Sequence, residues 1–371
     1  MSDMSLEQRV QRWIKPEIRA LKAYAVADAA GMIKLDAMEN PYGWPESIAS
    51  DLSQVLAHAA FNRYPDPQAS DLKKQLRLHV GLSDRHDILL GNGSDELIQL
   101  LILALQGQGR CVLSPVPSFV MYDLVSRMAG MQFIGVPLLP SLQVDLDAMI
   151  ATIQQHQPAL IFLAHPNNPT GQIYLESALI EIIRAAEGLV VIDEAYGPFT
   201  RVNALPWLDQ FPNVLVLRTF SKMGLAGLRL GYLMGSPAWL HELDKVRLPY
   251  NINVLTQISV TFALQHPGVF LEQTQNICVQ RAQLIQQLRQ IRALHVWDSE
   301  ANFVLVKCLS SSADEVFQWL KQHKILVKNL HGQHPLLENC LRFSVGAETE
   351  NKALLTSLRD FFAAGNKPLA E

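Results

Sequence analysis

The chain has 371 residues, 49% of them hydrophobic, with 20 glycines, 20 prolines and a formal net charge of −4. That length predicts two lobes around a cleft, and the apolar content suffices for a large interior. No block of like charge occurs and no apolar run reaches the length of a membrane span, which argues against nucleic acid and membrane as partners.

The N-terminus MSDMSLEQRVQRW is polar and lacks the apolar stretch of a secretory signal. The segment before about residue 45 is too short to fold alone and is expected to pack as an arm on the smaller lobe. From about residue 86 to 235, seven short β-rich runs occur. They are Ile88–Gly91, Cys111–Pro115, Gln132–Leu138, Ala159–Ala164, Leu189–Asp193, Val214–Arg218 and Leu228–Gly235. They are continuous apolar runs, as in strands covered on both faces. Between several of them lie helical segments. Ser94–Gln106 keeps Leu97, Leu100, Leu101, Ala104 and Leu105 on one stripe, with Ser94 as N-cap and Asp95 and Glu96 in the first turn. Leu175–Ala186 reads as another helix. This alternation predicts an α/β fold with a mostly parallel seven-stranded sheet.

After Pro249 the pattern changes. Helices are expected over 252–265, 268–292, 313–322 and 349–363, with strands at Phe303–Lys307, Ile325–Lys328 and Leu341–Val345. Such mixing predicts a smaller α+β domain. The expected division is an arm over 1–45, a large domain over 46–262 and a small domain over 263–371. Cys111, Cys278, Cys308 and Cys340 lie far apart in apolar surroundings. They read as buried thiols of a soluble cytoplasmic protein.

In open α/β sheets, ligands bind beyond the carboxyl ends of the strands. Four such ends carry polar motifs. Gly91-Asn92-Gly93-Ser94-Asp95-Glu96 reads either as a phosphate cradle at a helix start or as a plain strand–turn–helix joint. His165-Pro166-Asn167-Asn168-Pro169-Thr170-Gly171 reads as a turn, or as a turn that aims the Asn168 amide at a ligand oxygen. Asp193-Glu194-Ala195-Tyr196 ends a buried strand, where a carboxylate is costly without a positive partner. A protonated pyridine nitrogen, a magnesium ion and a capping role all fit it. In Thr219–Gly231, small and apolar residues flank Lys222. A desolvated lysine has a lowered pKa and can form a Schiff base. Ser221 and Arg229 would add to the phosphate cradle. Jointly, these parts fit one cofactor, pyridoxal 5'-phosphate. His331-Gly332-Gln333-His334 has no cysteine or carboxylate arrangement beside it and reads as a surface loop, not a metal site.

GNGSDE, HPNNPTG, DEAY and SKMGLAGLRLG in this order resemble the fold-type-I aminotransferases. Residues Lys34–Gly43, Arg63-Tyr64-Pro65-Asp66 and Cys340–Gly346 narrow the resemblance to the histidinol-phosphate aminotransferase family. It covers about residues 16 to 360. It implies Lys222 as Schiff-base lysine and proton shuttle, and Asp193 against the pyridine nitrogen. Asn168 and Tyr196 would bond the phenolic oxygen, Phe119 would stack on the ring, and Gly93, Ser94, Asp95, Ser221 and Arg229 would surround the phosphate. Tyr64 would reach the phosphate of a neighbouring subunit, which implies a homodimer with a shared active site. Arg342 would grip the substrate carboxylate, with Lys328, Asn40 and Tyr24 also at the substrate. The implied substrates are histidinol phosphate with 2-oxoglutarate, and imidazole-acetol phosphate with glutamate, in histidine biosynthesis. Aromatic amino-acid aminotransferases and threonine-phosphate decarboxylases are similar in the same motifs. The chain departs from the family at Met38, where many members have asparagine, and at Phe119, where tyrosine is common. Lys328 stands where arginine often lies, and the Lys222–Arg229 spacing is one residue short.

Overall fold

The computed structural model describes residues 4–23 and 27–364. Among the described residues, twelve strands form two sheets. In chain order they are β1 (Ile33–Leu35), β2 (Asp87–Asn92), β3 (Cys111–Val116), β4 (Gln132–Pro137), β5 (Leu160–Ala164), β6 (Leu189–Asp193), β7 (Val214–Thr219) and β8 (Leu230–Gly235). The remaining four are β9 (Leu294–Val296), β10 (Phe303–Cys308), β11 (Ile325–Asn329) and β12 (Cys340–Ser344).

The larger sheet has seven strands in the order β2-β8-β7-β6-β5-β3-β4. β8 pairs antiparallel with both neighbours and every other pairing is parallel. The mostly parallel seven-stranded sheet is thus present. Its central strands β5 and β6 are buried along their whole length and apolar up to Asp193, because both faces are covered. On β6, Val190 and Ile192 enter one core while Leu189 and Val191 enter the other. Successive side chains of a strand point to opposite faces, so a doubly covered strand has no position for a polar residue until its end.

The smaller sheet has the order β1-β11-β12-β10-β9. β1 pairs parallel with β11, Ile33 facing Ile325, and Leu35 joins the small-sheet core with Ile277, Leu284, Phe303 and Phe343. Among the described residues, β1 and β9 are the strands of three residues. Such runs are too short to show a period, and neither is predicted from the sequence. Helices Leu6–Trp13, Glu46–Leu56, Ser70–Val80, Met121–Ala129 and Leu146–His156 are also additional to the predicted ones.

Three predicted boundaries move for local reasons. Ser94 is the first residue of its helix, and Gly93 occupies the cap position with φ +81°. β8 starts at Leu230, because Ala226–Leu228 form a 3-10 turn and Arg229 is left-handed at φ 49°. The long helix runs Pro267–Leu288, and Ile291 packs on the small-sheet core from beyond its end. All four cysteines are free, and Cys278 is half-buried where the others are buried.

Candidate active site

Parallel strands bring their carboxyl ends to one edge of the sheet. β2, β5, β6 and β7 all end there, and the antiparallel β8 begins there immediately after Arg229. The four motifs therefore converge. A cavity of about 100 Å³ is lined by Ser94, Asp95, Phe119, Asn168, Asp193, Tyr196, Ser221, Lys222 and Arg229, with Met38, Tyr122 and Thr219 among its other walls.

At one end is the cradle. Gly231 lets β8 approach the helix start closely, since a Cβ there would lie 2.5 Å from the Ser94 nitrogen. A Cβ on Gly93 would run into the Arg229 guanidinium. Arg229 Nη2 donates to Asp95 Oδ2 at 3.1 Å, and Thr219 Oγ1 donates to Ser221 Oγ at 3.0 Å. A helix N-terminus, two hydroxyl-bearing side chains and a guanidinium make a donor set suited to a phosphate.

Lys222 lies in the turn Ser221–Leu225, which Gly224 permits at φ 113°. Its Nζ donates to the Ala37 carbonyl at 3.3 Å and lies 6.0 Å from the Tyr196 ring centroid. Burial, with Arg342 nearby, pushes the Lys222 ammonium down to about 8. About a tenth of the amine is then neutral at pH 7, far more than for a solvated lysine, as a nucleophile or base requires.

Asp193 ends β6 and is buried. Its Oδ1 accepts from the Ala195 N–H at 2.9 Å and its Oδ2 from the Tyr122 hydroxyl at 2.6 Å. Burial pushes its carboxyl up to about 6 against an ordinary 3.8. The folded pKa is raised, so this group's contribution to stability is full below pH 3.8 and is lost as pH rises through about 6. Asp193→Asn, which mimics the neutral acid, is expected to stabilise the cofactor-free protein by about 3 kcal/mol at pH 8. Urea denaturation should show that gain vanish below about pH 4. A pyridinium nitrogen brought against Asp193 would supply the missing positive partner.

Glu194 points the other way, as period 2 requires. Its Oε2 takes the Arg218 Nη2 at 2.7 Å and its Oε1 the Ala204 N–H at 2.6 Å. Asp193 and Glu194 therefore share no metal, and no metal-capable cluster occurs among the described residues. Removing Arg218 strands a fully buried carboxylate. Arg218→Ala is expected to cost about 3–5 kcal/mol in a denaturant titration.

Next to this cavity opens a larger one of about 830 Å³. Met38, Phe119 and Asn168 line both. Arg342 and Lys328 are directly opposed across β12 and β11 and both face the larger cavity. Arg342 donates to Asn168 Oδ1 and, at 2.8 Å, to the Asp36 carbonyl. Burial and Arg342 push Lys328 down.

Two expected residues, Asn40 and Tyr64, lie outside these cavities. Asn40 is outside both cavities: its amide donates to the Met223 carbonyl at 3.0 Å and to Gln273 at 2.9 Å, clamping the Lys222 turn. Tyr64 is 80% exposed and stacks on Tyr250 at 4.4 Å, away from these cavities. Tyr24 lies outside the described residues. His334, read as part of a surface loop, lines the larger cavity. Sequence reasoning missed Tyr122, although its place three residues beyond Phe119, one helical turn on, was a signal.

The Aminotransferase class I and II family model matches residues 30–358. The chain belongs to the class I and II aminotransferases. Within them it falls with the histidinol-phosphate aminotransferases. It is 49% identical to "Histidinol-phosphate aminotransferase 2" of Nitrosococcus oceani, covering 95% of this chain and 98% of that protein. It is 48% identical to "Histidinol-phosphate aminotransferase" of Chromobacterium violaceum, covering 95% and 99%. Its fold matches the histidinol-phosphate aminotransferase of Sinorhizobium meliloti, solved in complex with pyridoxal-5'-phosphate, with a TM-score of 0.84, 25% identity and coverage of 95% and 98%.

Proposed function

We propose that this chain is a pyridoxal-phosphate-dependent transaminase of histidine biosynthesis. It interconverts histidinol phosphate and 2-oxoglutarate with imidazole-acetol phosphate and glutamate. The observation that carries this reading is one cavity lined by Lys222, buried Asp193 and the helix start at Ser94 and Asp95, with Arg342 and Lys328 at the adjoining space.

In this reading Lys222 would hold the cofactor aldehyde, and its amine would take and return the proton at the substrate Cα. The cofactor supplies an electron sink for the bonding pair left at Cα. Asp193 would hold a proton on the ring nitrogen, Asn168 and Tyr196 would bond the phenolic oxygen, and Phe119 would pack against the ring. Ser94, Asp95, Ser221 and Arg229 hold the phosphate. Arg342 and Lys328 offer two cations to an anionic substrate, the guanidinium in a bidentate fork and the ammonium as a point charge.

Tyr64, exposed and remote from the cavities of its own chain, suits a homodimer in which it meets the partner's cofactor. The apolar Phe61 and Leu248, also exposed, suit the same interface. The division into an arm over 1–45, a large domain over 46–262 and a small domain over 263–371 belongs to the same reading, and the β1–β11 pairing supports it. Among the described residues, no helix is long and apolar enough to cross a membrane, in keeping with a cytoplasmic enzyme.

The test is a half-reaction followed by the cofactor's visible absorbance. Holoenzyme is mixed separately with histidinol phosphate, phenylalanine and threonine phosphate. Fastest conversion with histidinol phosphate is expected. Faster conversion with phenylalanine would overturn the substrate and leave the class standing.

A further inference from the structure

Asp193 is held from below by a group that none of the roles above uses. The Tyr122 hydroxyl donates to Asp193 Oδ2 at 2.6 Å. The Tyr122 ring lies flat on Phe162, with centroids 4.4 Å apart and planes 1° from parallel, and Phe119 stands edge-on to it at 5.7 Å. Its backbone carbonyl accepts from Ser126 Oγ at 2.6 Å. Tyr122 is fully buried and its rotamer is fixed on both sides. Burial, then the Asp193 charge, pushes its phenol well above the ordinary value, so the hydroxyl stays a donor.

The other groups around Asp193 sort into two sets. The Ala195 N–H also donates to the carboxylate, whereas Asp95 and Glu194 oppose its ionisation. Glu194 is itself paired with Arg218. A hydrogen bond to the charged form of a carboxyl favours that form.

We propose that Tyr122 is a positioning residue that fixes the Asp193 carboxylate and keeps it anionic, so that the proton shared with the cofactor ring rests on nitrogen. This depends on the proposed pairing of Asp193 with that nitrogen. The proton has two places to sit, the ring nitrogen or an Asp193 oxygen. Without the Tyr122 donor, the carboxylate becomes the better base and draws the proton away. A charge-assisted hydrogen bond shifts such a partition by roughly tenfold or more. Phe119 and Tyr122 are then delivered by one segment, one residue to the face of the ring and the other to its nitrogen partner.

The test uses holoenzyme loaded with cofactor carrying ¹⁵N at the ring nitrogen, read by NMR. The unmodified protein should give a pyridinium resonance, and Asp193→Asn should move it toward free pyridine. Tyr122→Phe should move it in the same direction, raise the cofactor Kd by about tenfold, and lower kcat with little change in KM. If Asp193→Asn moves the resonance and Tyr122→Phe leaves it in place, Tyr122 has no such role. If Asp193→Asn leaves the resonance unmoved, the Asp193 pairing itself fails and this inference falls with it. Should Tyr122→Phe fold poorly, Tyr122→3-fluorotyrosine, a stronger donor of nearly equal size, should hold the pyridinium resonance to a higher pH in a titration of the holoenzyme. An unshifted midpoint there counts against the proposal.

Discussion

Lys222→Ala is expected to lower kcat for multiple-turnover transamination by about 10⁴-fold or more, because it removes the nucleophile and the proton shuttle together. The size of the effect follows from the surroundings. Desolvation, with Arg342 nearby, lowers the Lys222 pKa to about 8, so its amine is far more available than that of a solvated lysine. No other amine stands in for it in the cavity: Lys222 is the lysine among the residues that line it. The loss should appear in kcat, measured in steady state with saturating cofactor, with the denaturation midpoint little changed. An unaltered turnover would remove Lys222 from the chemistry.

Arg342→Ala should cost about 10²–10³-fold in kcat/KM for both amino donor and keto-acid acceptor, mostly through KM. Arg342 is buried and already oriented, through its bonds to Asn168 and the Asp36 carbonyl. Its guanidinium can meet an anion without first being ordered, and charge-assisted bonds in a desolvated site are the strong ones. Arg342→Lys should recover part of the loss, since charge returns without the fork. Lys328→Ala should cost less, because that side chain is only half-buried. Equal effects at the two positions would contradict this division of labour.

The large sheet was legible because a strand covered on both faces has only apolar positions, so seven runs such as Leu189–Asp193 stand out. The cofactor cavity was legible for a related reason. Where such a strand ends, the first polar residues face the ligand edge, and Asn168, Asp193 and Lys222 all lie at or just beyond strand ends. What stayed hidden depends on contacts distant in sequence. β1 is three residues long, and its pairing with β11 joins positions nearly 300 apart. The amide of Asn40 meets Met223 and Gln273, 183 and 233 residues away. Tyr122 reads as one more apolar position of its helix, because the partner that makes it functional lies 71 residues away. His334 is beside the larger cavity only because the loop after β11 folds back over it.

The central claim is that Lys222 binds the cofactor covalently in this cavity. Borohydride reduction of the yellow holoprotein, followed by proteolysis and mass spectrometry of the peptides, tests it directly. The expected result is a single pyridoxyl-phosphate adduct on Lys222. An adduct on any other lysine, or none at all, would contradict the claim.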